Sequence, residues 1–174
     1  MDVLRRVGKP EVAAPENFEA LCFELHSAGF PVMRVNGKAA FIHRWETIWT
    51  TRRSEKTLRD WAKKNPTANV GLCLGNIIAV DIDVEDAEGA ERAQDIAFAH
   101  LGATQFIRIG RAPRRTLFYR LGFEDAMLAD NWTEGNVQFL AAGKQSAIYG
   151  IHPATQKPFT WPCKSLRHAK FADV

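Results

Sequence analysis

Apolar side chains at positions 18, 21, 22 and 25 stand three and four apart in a polar stretch, which predicts an amphipathic helix from residue 16 to Gly29. Residues 30–35 then form a short apolar run that reads as a strand turned by Asn36-Gly37. Ser54 is a good N-cap for a helix over 55–64, with Leu58 and Trp61 on its buried face, and Pro66 stops it. Two apolar runs, 70–74 and 77–84, flank Gly75-Asn76, and β-rich runs joined by such a dipeptide predict a hairpin. Ala90, Ala93, Ile96, Ala97 and His100 recur at helical spacing over 88–101, with His100 as a C-terminal cap or packing residue. Residues 105–110 and 116–121 predict strands around a cationic turn at 111–115, and 136–140 with 145–149 predict a further strand pair across 141–144. Residues 123–134 read as a loop with a helical turn, 1–15 as a loose arm, and 162–174 as a basic tail that is a short helix or unstructured. Helices interleaved with strands predict one α+β domain over 1–174: a mostly antiparallel sheet with helices on one side.

The totals narrow the class without changing that picture. A chain of 174 residues, 46% apolar and 25% charged, buries a core without disulfides or structural metal. A net charge of +3 is compatible with a nucleotide or nucleic-acid partner without demanding one. The three cysteines are scattered and the five histidines form no helix-spaced ligand pair, which argues against a disulfide framework and a zinc ribbon. No apolar run approaches the roughly 18 residues that span a bilayer, and the start, Met-Asp-Val-Leu-Arg-Arg, lacks the apolar segment of a secretion signal. The expectation is a soluble, cytoplasmic protein with no membrane partner.

Chemistry concentrates at two places. Asp81 and Asp83 close an apolar run, and on a strand side chains two apart share a face. Two adjacent carboxylates repel, and burial beside Ile78, Val80 and Ile82 adds a desolvation penalty unless a cation or proton sits between them. A hard ion that prefers oxygen, Mg²⁺ or Mn²⁺, satisfies that requirement. The plainer alternative is that they end a strand and cap the next helix. The second place is the turn, where Arg108, Arg111, Arg114, Arg115 and Arg120 crowd together. Their guanidinium groups can converge on phosphate oxygens, the alternative being a solvated charged face. His43 and Trp45, in a loop-rich segment after Lys38, read as surface.

Gly29-Phe30-Pro31-Val32, Asn36-Gly37-Lys38, Trp45, Leu58, Trp61-Ala62, Asn69-Val70-Gly71-Leu72 with Leu74-Gly75, and the run ending Asp81-Ile82-Asp83 follow one another in a familiar order. The segment from Gly110 to Tyr119, then Gly150-Ile151-His152-Pro153 and Lys157-Pro158-Phe159-Thr160-Trp161, complete it. In order and spacing these resemble the N-terminal domain of bifunctional DNA primase/polymerases, the prim-pol branch of the archaeo-eukaryotic primase superfamily. The resemblance implies an RRM-like catalytic core that binds two divalent metals, Mg²⁺ or Mn²⁺, and a nucleoside triphosphate, and extends or starts a primer on single-stranded DNA. Asp81 and Asp83 match its catalytic metal pair. Where the family places a nucleotide-contacting histidine this chain has Arg115 or Thr116, and the later acidic position falls on Gln138. A glutamine carbonyl can ligate a hard cation but adds no charge; Glu85, Asp86 and Glu134 are other acids that could substitute. The resemblance thus assigns metal to Asp81, Asp83 and Gln138, and nucleotide phosphates to Arg111, Arg114, Arg115, Thr116 and His152. Lys38 and Lys144 are template contacts, and Trp45 and Trp161 either stack on bases or pack in the core. The same resemblance allows a mobile-element protein acting in replication, with a helicase in trans. One alternative is a degenerate nucleotide- or DNA-binding module of the same fold. Another, from a different class, is an Asp-X-Asp nucleotide-sugar transferase, which needs a larger parallel-sheet domain than this chain provides.

Overall fold

The computed structural model describes residues 18–174, so the arm expected over 1–15 lies outside the described residues. The elements run α1 (Phe18–Ser27), β1 (Val32–Asn36), β2 (Ala39–Ala40), α2 (Glu55–Lys64), β3 (Asn69–Cys73), β4 (Ile77–Ile82), α3 (Ala87–Leu101), β5 (Ile107–Arg108), β6 (Arg115–Arg120), α4 (Phe123–Leu128), β7 (Trp132–Glu134), β8 (Val137–Leu140) and β9 (Gln145–Tyr149). Local signals set the helix starts: Ser54 Oγ accepts from Thr57 N–H to cap α2, and Asp86 accepts from Gly89 N–H to cap α3.

The strands form two antiparallel sheets, ordered β2-β1-β3-β9 and β5-β6-β4-β8-β7, where one sheet was expected. The fold is α+β as predicted, but two of the predicted strand pairs are not made. β3 pairs with β1 and β9, whereas β4 pairs with β6 and β8, so the runs flanking Gly75-Asn76 belong to different sheets and form no hairpin. The physical reason lies at the junction. Leu74 N–H is taken by Lys144 C=O at 2.8 Å, and Gly75 is pressed so closely by Trp49 that a Cβ would overlap the indole. The chain is therefore led out of the first sheet before it can pair back. β8 and β9 are divided in the same way, and residues 141–144 cross between the sheets beside residues 74–76. The β5–β6 hairpin forms as expected, with Ile107 opposite Leu117 and Arg108 opposite Thr116.

Because side chains alternate along β4, its two faces serve different cores. Ile77 and Ala79 join the main core, with Phe18 and Leu25 of α1, Leu58 of α2, Leu72 of β3 and Ile148 of β9. Val80 and Ile82 face a smaller cluster with Ala90 of α3 and Leu117 of β6. Helices are accordingly divided between the sheets, α1 and α2 in the first core and α3 in the second. On α3 the buried stripe runs through Ala90, Ala93, Gln94 and Ala97, so Ile96, expected on that stripe, is 61% exposed. β7 occupies part of the segment expected as a loop, as an exposed edge strand. The basic tail docks through two 3-10 turns: Leu166 and Ala169 are buried, and Phe171 N–H bonds to Ala28 C=O at 2.9 Å. Trp161 is core rather than a free stacking platform.

Candidate functional site

The face of β4 that carries Ile77 and Ala79 into the core ends in Asp81 and Asp83, where the two sheets part. Asp83 remains tied to the sheet through its N–H on Asn136 C=O at 2.7 Å. Strand register places a row of side chains across the second sheet at Asp81: Arg108 opposite Thr116, Thr116 opposite Asp81, Asp81 opposite Gln138, and Gln138 opposite Thr133. Directly opposed residues of antiparallel strands present their side chains on one face. Within this row Thr116 Oγ1 donates to Asp81 Oδ1 at 2.5 Å while accepting from Arg108 Nη2. Arg108 Nη2 also stands 3.7 Å from Asp81 Oδ1.

Arg108 is only 6% exposed. Its Nη1 donates to Ala147 C=O, so one guanidinium spans from the second sheet to β9 of the first. It also lies over the Phe159 ring at 4.8 Å. Burial draws its pKa below the ordinary guanidinium value, opposed by the charges of Asp81 and Asp83. Further out, Arg114 bonds Glu85 Oε1 at 2.5 Å and approaches Asp83 Oδ1 at 3.5 Å, and Arg111 reaches Glu85 at 3.4 Å. Arg115 lies one residue from Thr116, in register with Ile82 on the α3 face. Its Nη1 donates to the buried Gln94 Oε1 at 2.7 Å and its Nε to Pro113 C=O.

The first sheet supplies Lys38 and His152, from the β1–β2 turn and the segment after β9. One side chain organises both. Asn69, at the start of β3, donates to Gly37 C=O at 2.9 Å and Ile151 C=O at 2.7 Å, and accepts from Ile151 N–H at 2.8 Å. Gly150 is required there, since its φ is +108° and a Cβ would collide with Asn69 Oδ1. His152 is buried with its ring edge-on to Phe159, and its Nδ1 accepts from Thr155 N–H at 3.3 Å. That bond assigns the neutral ring's proton to Nε2. Burial lowers its pKa, and the charges of Lys38, Arg108, Arg111 and Arg114 lower it further.

These groups border two adjoining cavities. The smaller, about 220 Å³, brings Asp81, Asp83, Thr116 and His152 together with Lys38, Arg108, Arg111, Arg114 and Arg115. The larger, about 490 Å³, shares Lys38, Asp81 and Arg108 and adds Gln138, Lys144, Gln145 and Trp45. Every residue assigned to the site by the sequence therefore borders one cavity or the other. Two are engaged otherwise: Thr116 spends its hydroxyl on Asp81, and the Arg115 guanidinium is held by Gln94. Of the possible substitute acids, Glu85 is taken by arginines, Asp86 caps α3, and Glu134 lies on the exposed edge strand. Sequence reasoning had Arg108 only as one of a cationic run, and missed Gln94 as the partner of Arg115. A charged residue flanked by Ile107 and Ile109 was the available signal for Arg108.

Among the described residues no group of three or more His, Cys, Asp or Glu side chains is placed to hold a metal ion. The donor set here is two carboxylates with a neutral amide in register beside one of them. That set fits a hard cation whose remaining ligands are phosphate oxygens and water. Among the described residues no helix is long and apolar enough to cross a membrane.

The family model for bifunctional DNA primase/polymerase, N-terminal, matches residues 23–170. No curated protein and no solved structure matches the chain.

Proposed function

Because the chain belongs to the bifunctional DNA primase/polymerase N-terminal family, we propose that it catalyses nucleotidyl transfer from an NTP or dNTP onto a primer or single-stranded template. The observation that carries this reading is the meeting of Asp81 and Asp83 with cationic side chains from both sheets in one cleft. Carboxylates suit a hard cation, and cations suit a triphosphate; a site with both suits a metal–triphosphate complex.

Asp81 and Asp83 would hold Mg²⁺ or Mn²⁺, with the Gln138 amide beside Asp81. When bound, such an ion lowers the pKa of a 3′-hydroxyl and offsets charge building on the departing phosphates. The 3′ oxygen bonds to the α-phosphorus, the bond from that phosphorus to the bridging oxygen breaks, pyrophosphate leaves, and the hydroxyl proton passes to solvent. Lys38, Arg111 and Arg114 are the side chains we assign to the triphosphate, with Arg114 exchanging its carboxylate partners for phosphate. His152, neutral with its proton on Nε2, serves as a hydrogen-bond donor to phosphate, the part that the family gives to a histidine elsewhere. Lys144, beside the larger cavity, is assigned to the template backbone.

The test is primer extension and de novo priming with Mg²⁺ or Mn²⁺. Wild-type activity that disappears in the Asp81→Ala/Asp83→Ala variant is the expected result. A second reading, a nucleotide- or DNA-binding module without catalysis, is favoured by Gln138 standing opposite Asp81. It predicts silence in wild type and in Gln138→Glu, with binding retained. Silence in wild type and activity in Gln138→Glu would mean an intact scaffold lacking one carboxylate.

A further inference from the structure

We propose that Arg108 is a built-in cation of the site, doing part of the electrostatic work of a second divalent ion, so that the cleft takes a triphosphate with a single metal ion. The inference rests on the nucleotidyl-transfer reading and narrows it.

Three observations converge. First, Arg108 is fixed rather than mobile. Its guanidinium is buried, donates to Ala147 C=O and to Thr116 Oγ1, and lies over the Phe159 ring. It cannot be withdrawn to solvent without leaving those acceptors unpaired. Second, it already occupies the surroundings of Asp81. One carboxylate oxygen accepts from Thr116 and faces Arg108 Nη2 at 3.7 Å, so a cation bridging from that oxygen would meet a guanidinium at close range. Third, the other flank of Asp81 is neutral. Gln138 is in direct register with it, and the remaining nearby acid, Glu85, is held by Arg111 and Arg114. Two carboxylates against five lysine and arginine side chains border the smaller cavity. That balance attracts a polyphosphate strongly and a second dication weakly. Arg108 is thus a positioning residue for Asp81 and a standing positive charge beside the phosphates, on the flank of Asp81 away from Gln138, the position where a third carboxylate would otherwise recruit metal.

The experiment is a Mn²⁺ titration of the full chain, followed by electron paramagnetic resonance, with a deoxynucleoside triphosphate carrying an imido bridge between its α- and β-phosphates. One protein-bound Mn²⁺ per triphosphate complex is expected. Two would overturn the inference and leave the nucleotidyl-transfer reading standing, whereas absence of triphosphate binding would overturn both. In parallel, Arg108→Met, with its fold checked by circular dichroism, is expected to weaken triphosphate binding at saturating Mn²⁺ by about tenfold or more, the scale of a lost charge-assisted contact. Unchanged affinity in a folded Arg108→Met would also overturn it. If that variant does not fold, the wild-type metal count decides.

Discussion

At His152 burial and the surrounding cations act in the same direction, both favouring the neutral ring. The folded pKa lies below the ordinary 6.5, so the unfolded chain binds more protons in the interval between the two values. Stability linked to this residue is therefore fully present above the unfolded value and is lost as pH falls through the folded one. Thermal melts of wild type and His152→Gln between about pH 7.5 and 5.5 should show the steeper decline in wild type. Parallel declines would reject a shifted His152. The residue scale is also where sequence reading met its limit. The carboxylate pair was legible because two-residue periodicity alone puts Asp81 and Asp83 on one face. Which groups surround them was not legible from periodicity: Gln138 and Thr116 entered only through the family resemblance and Arg108 only as one of a cationic run, because all three reach Asp81 through register between strands far apart in the chain.

Elements were legible where the signal is local. The starts of α2 and α3 follow from a cap at Ser54 and from periodicity after Asp83, and the β5–β6 hairpin from its Gly/Pro turn. The pairing of β3 with β9 and of β4 with β8 follows from no local signal, since Trp49 and Lys144 redirect the chain from outside each run. Gln94 illustrates the same limit on a helix. A polar residue in the middle of a buried stripe makes sense only when Arg115 is known to be its partner. Asn69 does the converse work of joining elements, one amide satisfying three backbone groups of two segments. Replacing it by Ala would leave those groups without their partner, at about 1–3 kcal/mol for each group that stays buried and unpaired. Urea unfolding of Asn69→Ala should register a loss in that range or larger. Its amide exchange should rise at both Gly37–Lys38 and Ile151–His152, and faster exchange at only one would show that the clamp is not shared.

For the molecule as a whole, the division into two sheets makes the cleft, and the lining of its smaller cavity, five cationic side chains against two carboxylates, carries as much net positive charge as the entire chain, whose net charge is +3. Single-stranded DNA binding should accordingly depend steeply on salt. If three or four of the cleft cations neutralise phosphates, log K against log[salt] should fall with a slope of about −2 to −3. A fluorescence-anisotropy titration over a range of salt concentrations reads that slope, and a value near zero would separate the cleft from DNA altogether. The junction at residues 74–76 has a mechanical consequence. Asp83 lies seven residues beyond Asn76, and at the rise of an extended strand the acidic pair sits at the end of an arm about 20 Å long. A rotation of about 3° at the fulcrum moves its tip by about 1 Å, a misplacement that can slow a positioned reaction by roughly a hundredfold. Trp49 packs against Gly75 at the start of that arm, and the pairing of β4 with β6 and β8 holds the arm along its length, so the aim of the two carboxylates is shared between the junction and both neighbouring strands.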